Sequence, residues 1–412
     1  MCGIFAASTN IPTDLPVELS LEAIRHRGPD DQGVFVSKDS TCHLGHVRLS
    51  ILDLSSQGHQ PMMDSSARYV LSYNGEVYNY RELQKYLVGR HGPINWKSGT
   101  DSEVIVEGVA REGLLFLSRL NGIFALAIFD KHEHLLHVLR DPIGIKPLFF
   151  TEQNGFYFSS ELKGLLALPN LKRTLRIQSF ADQLAFMYVP EPNTLYNEFH
   201  KVKHGICFSF KFGKLVGEKP LFSNLGETVP LSTENEAVDS LSQAFDVAVS
   251  RQLMADVPLS LFLSGGIDSS AVAQQAVSGG GKIDTAYTIA FSNEDLKLDM
   301  QSDDLYYSKI MAEKLGLNLK IVQAKKDFLT LLPDLACFMD DGFSDPSAIN
   351  TYLISREARE NGVKVMLSGH GADEYLGGYR RYLAERMFTT MPAFLRSAVS
   401  LLLKLVTLPS RF

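Results

Sequence analysis

The 412 residues carry a formal net charge of −7, 45% apolar and 21% charged side chains, and 4 cysteines. A chain this long exceeds one ordinary core, so two domains are expected, and its acidic balance disfavours non-specific binding to nucleic acid. Cys2, Cys42, Cys207 and Cys337 stand far apart without a CxxC pair, which argues against a disulfide framework or a structural zinc site and for reduced thiols.

The chain opens MCGIF. Methionine before so small a residue is a candidate for removal, which would leave the Cys2 thiol beside a free α-amine able to accept its proton near neutral pH. Alone, the stretch also reads as a small residue near a frayed end. No basic region precedes an apolar run, and Pro12, Asp14 and Pro16 interrupt the next stretch of chain. No signal peptide is read, and a cytoplasmic location is expected.

Short strands with turn signals come next, at Cys2–Ala7, Val34–Ser37, His43–Ile51, Arg68–Tyr73, Ile123–Asp130, Leu135–Arg140 and Leu148–Ser159. Helical patterns fall at Tyr80–Val88 and Ser102–Leu120, and Asn154-Gly155 suits a tight hairpin. This half reads as antiparallel sheet with added helices. Breakers in Tyr188–Asn193 and Gly213–Pro230 place a domain boundary between Tyr196 and Leu231.

Beyond it, Thr233 and Glu236 stand in capping-box spacing before a helix whose stripe includes Leu241, Phe245 and Ala248. Strands at Pro258–Leu263, Thr285–Phe291, Asn318–Val322 and Val363–Leu367 then alternate with helices ending near Val277 and at Asp304–Leu315, Phe328–Phe338 and Ser347–Asn361. That alternation requires a parallel sheet covered by helices, with ligands at the carboxyl ends of its strands.

An apolar strand runs straight into Ser264-Gly265-Gly266-Ile267-Asp268-Ser269-Ser270 and a small-residue helix. Glycine-freed amides, hydroxyls and the positive end of a helix make an anion cradle suited to phosphates. It is not the Walker loop: the nearest match to that motif, Gly279-Gly280-Gly281-Lys282, lacks the first glycine and the final hydroxyl and reads as the end of the helix. The loop resembles the pyrophosphate-binding loop of ATP pyrophosphatases. Asp268 needs a second carboxylate to hold Mg²⁺ among phosphates. A second glycine-rich loop after VKVML, SGHGADEYLGGY, offers Asp373 and Glu374.

Taken together, MCGIF, RHRGPD (Arg25–Asp30), RLSILDL (Arg48–Leu54), YNGEVYN (Tyr73–Asn79), TDSEV (Thr100–Val104), RDPIGIKPLFF (Arg140–Phe150), SGGIDSS and DPSAI (Asp345–Ile349) resemble, in order, the glutamine-dependent asparagine synthetases. The resemblance implies an α+β N-terminal-nucleophile hydrolase sandwich (αββα), then an α/β parallel-sheet ATP pyrophosphatase domain. The corresponding expectation is a class II glutaminase over 1–205, a linker over 206–230 and a synthetase-like domain over 231–412. It implies Cys2 as nucleophile, an oxyanion hole from Asn74 and Gly75, and glutamine binding by Arg48, Leu49, Ser50, Ile51, Asn74, Gly75, Glu76 and Asp101. In isolation Asn74-Gly75 reads simply as a turn. For ATP it implies Leu263, Ser264, Gly265, Gly266, Asp268, Ser269, Ile289, Ser368 and Gly369, with Mg²⁺ on Asp268 and Asp373. Glutamine, ATP and a carboxylic acid, aspartate first, are the expected partners, with an apolar passage carrying ammonia between domains. No nucleic acid and no transmembrane segment are expected, and a homodimer is left open.

Two features depart from the family pattern. His370 stands in SGHGADE where asparagine-making members typically carry a catalytic acid; it can act as a base but lacks a fixed negative charge. Sugar acids, peptide carboxylates or a surface-polysaccharide precursor are then alternative acceptors, and glutaminase alone or a scaffold role are alternative functions. The family also continues well past this loop to a lysine that stabilises adenylation, whereas here Met391–Phe412 is an apolar, helix-like run. The expectation is a synthetase domain C-terminally incomplete relative to the family, the alternative being that another chain or a membrane surface covers that helix.

Overall fold

The computed structural model describes residues 1–222, 232–290, 304–324 and 328–406. Every residue of strand β1 (Gly3–Thr9) is buried, which a strand achieves only with both faces covered. Ile4 and Ala6 enter an apolar layer with Leu44, Val70, Ala127, Val138, Phe158 and Phe210. Phe5 and Ala7 face the other way, against Val17, Leu21, Leu162 and Leu165 of two short helices. Fully burying side chains such as Phe5 and Phe158 contributes roughly 1.5–3 kcal/mol each.

The remaining strands of this unit are β2 (Asp31–Val36), β3 (Cys42–Arg48), β4 (Met62–Met63), β5 (Tyr69–Val77), β6 (Gly122–Asp130), β7 (Leu135–Arg140), β8 (Phe149–Glu152), β9 (Gly155–Ser159), β10 (Phe199–Lys201), β11 (Ile206–Lys211) and β12 (Lys214–Pro220). They form two antiparallel sheets, ordered β10-β8-β9-β1-β3-β2 and β12-β11-β7-β6-β5-β4. Helices Val17–Ala23 and Leu162–Leu166 cover the first sheet. Helices Tyr80–His91 and Asp101–Glu112 cover the second through Leu83, Leu87, Val104, Ile105 and Val109. The result is the expected four-layered αββα sandwich.

Several local expectations are corrected. The range 206–230, read as a linker, contains β11 and β12, and Cys207 is 1% exposed within the core. Pairing of β11 with β7, not local periodicity, makes this segment sheet; residues 223–230 lie outside the described residues. Asn74-Gly75, a turn only when read in isolation from its motif, continues β5, paired with Ala125 and Phe124. The helix read through Leu120 breaks at Gly113 (φ +70) into a 3₁₀ stretch. The hairpin at Asn154-Gly155 forms with both residues at positive φ.

After helix Glu234–Gln252, capped by the Thr233 hydroxyl on Glu236 N–H at 3.2 Å, comes the parallel sheet. Leu241 and Ala248 are exposed, and Val249 is the buried residue of that helix, in one apolar cluster with Leu261, Ala273 and Ala276. Strands β13 (Leu259–Phe262), β14 (Thr285–Ala290), β15 (Asn318–Gln323) and β16 (Val365–Leu367) pair in the order β15-β14-β13-β16. Phe291, the predicted end of β14, is outside the described residues. Strand order reverses at β13, opening a crevice between β13 and β16 at their carboxyl ends. Among the described residues no helix is long and apolar enough to cross a membrane.

Candidate functional site

The antiparallel register pairs Gly3 with Val47, bringing the residues just before β1 and just after β3 together. Leu49 N–H consequently lies 3.4 Å from Cys2 Sγ. A Cβ on Gly3 would stand 2.9 Å from both Ile24 Cδ1 and Val47 Cγ2, so the strand packs this closely only with glycine. Arg27 Nε donates to Cys2 O at 2.9 Å, and its Nη1 to Glu161 at 2.6 Å. These bonds hold the backbone of Cys2 in place.

From the other sheet, β5 delivers Asn74, Gly75 and Glu76. With Cys2, Arg48, Leu49, Ile51 and Asp101 they line one cavity of about 60 Å³. Asn74 is 1% exposed and its amide nitrogen has no hydrogen-bond partner in the structure. A buried donor without an acceptor is costly unless something arrives to use it. Asp101 opens its helix under the Thr100 cap and accepts from Tyr73 OH (2.7 Å) and Val77 N–H (2.9 Å). Arg48 donates to the carbonyls of Leu52, Asp53 and Ser55, so it holds its own loop as well as lining the cavity. Ser50 is turned away, its N–H on Asp30 at 2.8 Å.

Burial pushes the Cys2 thiol up, while the nearby α-amine and the Leu49 amide oppose; the resting group is the thiol. Desolvation, aided by Arg27 and Lys146, lowers the Met1 amine to about 5, leaving it a neutral base. Burial drives Glu76 up to about 7, with Lys146 opposing and Asp101 adding to the push. Lys146 lines the same cavity and was not singled out from the sequence, nor were Arg27 and Glu161. The signal was present, since RDPIGIK and RHRGPD contain two of the three.

In the second unit the Ser264 and Ser269 hydroxyls are 2.9 Å apart and Ser269 also accepts from Ser264 N–H. Gly265 has φ +78, and a Cβ there would approach Asp304 O to 2.6 Å. Leu263 does not face the loop: it is 1% exposed in the apolar core, its N–H on Tyr287 O and its carbonyl taken by the Ser308 hydroxyl. It anchors the loop from beneath. Gly369 packs against Asp268 and Ser269, so the two glycine loops approach closely at this point. Ser368 Oγ lies 2.7 Å from Nδ1 of exposed His370. Ile289 is half-buried on β14.

Burial, then the charges of Asp373 and Glu374, raise Asp268. That mutual repulsion is what a divalent cation would relieve, so Asp268 and Asp373 fit Mg²⁺ supplemented by phosphate oxygens. Glu374 is instead tied to Tyr379 OH at 2.8 Å. Among the described residues no three metal-ligating side chains already converge.

The units meet through the Lys364–Asp30 ion pair (2.7 Å), Asp53 N–H on Asp256 (2.8 Å) and Lys201–Asp341 (2.9 Å). Between them lies a cavity of about 570 Å³, bounded by Met1, Arg27 and Leu49 on one side and Phe262, Val363 and Met366 on the other. Met1 and Leu49 also line the Cys2 cavity.

Residues 1–222 match the family model for a glutamine amidotransferase domain, and residues 240–409 that for asparagine synthase. A putative glutamine-hydrolysing asparagine synthetase of Methanocaldococcus jannaschii is 34% identical over 400 residues, covering 91% of this chain and 75% of the relative. Asparagine synthetase 1 of Bacillus subtilis is 33% identical, covering 91% of this chain and 58% of its own length. Amidase chry2 of Gibberella zeae is 28% identical, covering 90% and 56%. The chain thus spans less than two thirds of the last two relatives.

Proposed function

The chain belongs to the glutamine-hydrolysing asparagine synthetase family, and on that premise we propose that it uses glutamine and ATP to amidate a carboxylic acid, aspartate first. The observation that carries the reading is one cavity holding the Cys2 thiol, the Leu49 N–H and the unpartnered Asn74 amide. After removal of Met1, the α-amine of Cys2 takes the thiol proton as sulfur attacks the glutamine side-chain carbonyl. Asn74 and Gly75 N–H receive the oxyanion. Collapse breaks the C–N bond, the amine returns its proton to the leaving nitrogen as ammonia, and water then hydrolyses the thioester to glutamate. Arg48 faces the substrate carboxylate, Glu76 and Asp101 its ammonium.

Ammonia passes into the cavity of about 570 Å³ between the units. Beyond it, the loops at Ser264–Ser269 and Ser368–Asp373 hold ATP at the carboxyl ends of β13 and β16, where strand order reverses. Mg²⁺ on Asp268 and Asp373 would neutralise phosphate charge. Attack of the acceptor carboxylate on the α-phosphorus gives an acyl-adenylate and pyrophosphate; ammonia displaces AMP.

A second reading keeps this chemistry with a different acceptor acid. It is favoured by His370, exposed at the loop centre without a fixed charge, and by the relative named an amidase. The test is a paired assay with glutamine, ATP, Mg²⁺ and aspartate, reading glutamate, pyrophosphate and asparagine together. All three rising supports the first reading. Glutamate alone moves the search to other acids, and no glutamate refutes both.

A further inference from the structure

The stretch Arg140–Lys146 is a turn built around one carboxylate. Asp141, fully buried, accepts from the N–H groups of Ile143 (3.1 Å), Gly144 (2.7 Å) and Ile145 (3.0 Å) through one oxygen. Its other oxygen accepts from Lys146 N–H (2.9 Å) and Phe124 N–H (3.2 Å). Arg140 Nε closes the turn on Lys146 O at 2.7 Å, and Gly144 supplies a φ of +77. All this wiring delivers a single long side chain: Lys146, 7% exposed, enters the Cys2 cavity with Nζ 2.9 Å from Met1 Sδ. A buried ammonium against a thioether is poorly compensated. Removal of Met1 leaves it facing the cavity itself.

The charged and titratable groups around it come from several elements. Burial lowers Lys146 from its ordinary range; Glu76 from β5 is the largest group opposing this, helped by Cys2 from the start of β1 and Asp141 from its own turn, while Arg27 from the turn before β2 adds to the lowering. Glu76 in turn senses Lys146, Asp101 from the facing helix, and the chain's amine. The other basic groups here are the chain's amine, Arg27, bonded to Cys2 O and Glu161, and Arg48, bonded to the carbonyls of Leu52, Asp53 and Ser55; Tyr73 and Tyr78 also face Glu76.

We propose that Lys146 is a positioning residue of the glutamine pocket, the counter-cation of Glu76 in the subsite for the substrate's α-ammonium. This rests on the glutaminase reading above. Burial already carries Glu76 to about 7. Without the lysine it would protonate at still higher pH, and a protonated Glu76 offers no charge to the glutamine ammonium. The loss falls on binding and on its pH dependence, not on the attack by sulfur.

The experiment measures glutamine Kd by calorimetry from pH 6 to 9 on the full chain carrying Cys2→Ala, which isolates binding from turnover. Lys146→Met on that background should weaken binding about tenfold at pH 6.5, with the acid limb moved up by about one pH unit, and approach the parent by pH 9. Lys146→Arg should restore the parental profile, showing that charge rather than packing is read. Adding Glu76→Gln should erase the difference between lysine and methionine. A Lys146→Met profile superimposed on the parent, or weakened equally at every pH and not rescued by arginine, overturns the proposal. Glutamate release by the unmutated chain tests the glutaminase reading separately: binding that shifts as described in a chain without turnover keeps Lys146's role and rejects the activity.

Discussion

Asn74→Ala removes the side-chain donor proposed above for the oxyanion. Its amide nitrogen is buried and unpartnered, while the neighbouring backbone cannot move to replace it. A Cβ on Gly75 would already stand 2.3 Å from Ile123 O, so β5 and β6 are pressed together at this point. Deleting one oxyanion donor elsewhere costs 10²–10³-fold in kcat, about 2.7–4 kcal/mol, and that loss is expected here. Because that nitrogen makes no native hydrogen bond, its removal forfeits none, and the fold should lose only about 1 kcal/mol, or about 2–4 °C in Tm. The assay is glutamate release over a range of glutamine concentrations, with Cys2→Ala as baseline and Tm by circular dichroism. A kcat within threefold of the parent would falsify the assignment. A fall in kcat matched by a collapse in Tm would place Asn74 in the fold rather than in the chemistry.

Gly3→Ala forces a methyl to 2.9 Å from Ile24 and Val47; overpacking of this kind costs about 1–3 kcal/mol. It should lower Tm and glutamate release together, and an unchanged Tm would contradict the tight packing described for β1. Gly265→Ala combines a φ of +78 with a 2.6 Å approach to Asp304 O, and should abolish ATP-dependent pyrophosphate release while leaving glutamate release intact. Equal loss of both would show that the loop is not a separate nucleotide site. Glu161 is held at about 2, against the upward push of burial, by His26, Arg27 and Lys163, from an ordinary value of 4.5. Its depressed value stabilises the fold above pH 4.5, and roughly 3 kcal/mol is lost as pH falls towards about 2. Urea unfolding from pH 6 to 2.5 should show that slope in the parent and a flatter one in Glu161→Gln; parallel curves would remove the carboxylate from the account.

Residue pattern alone carried the broad architecture and the chemistry-bearing motifs. Alternation of strand and helix after Thr233 implied a parallel sheet, and SGGIDSS at a strand's end implied a phosphate cradle, because both depend on neighbours in sequence. The same local logic misread what depends on distant partners. Asn74-Gly75 has the dihedral freedom of a turn, but nine residue pairs with β6 hold it in a strand. Residues 206–220, within the range read as a linker, become sheet because β11 pairs with β7 and β12 with β11. Leu263 follows β13 towards the SGGIDSS loop, yet folding turns its side chain into the core. Lys146 was visible inside RDPIGIK, but nothing in sequence spacing says that a turn wound on Asp141 will aim it at a cysteine at the other end of the domain. The identity of the reacting groups is thus written locally in the chain, whereas their convergence comes from strand register and burial between layers, which no single stretch of residues contains.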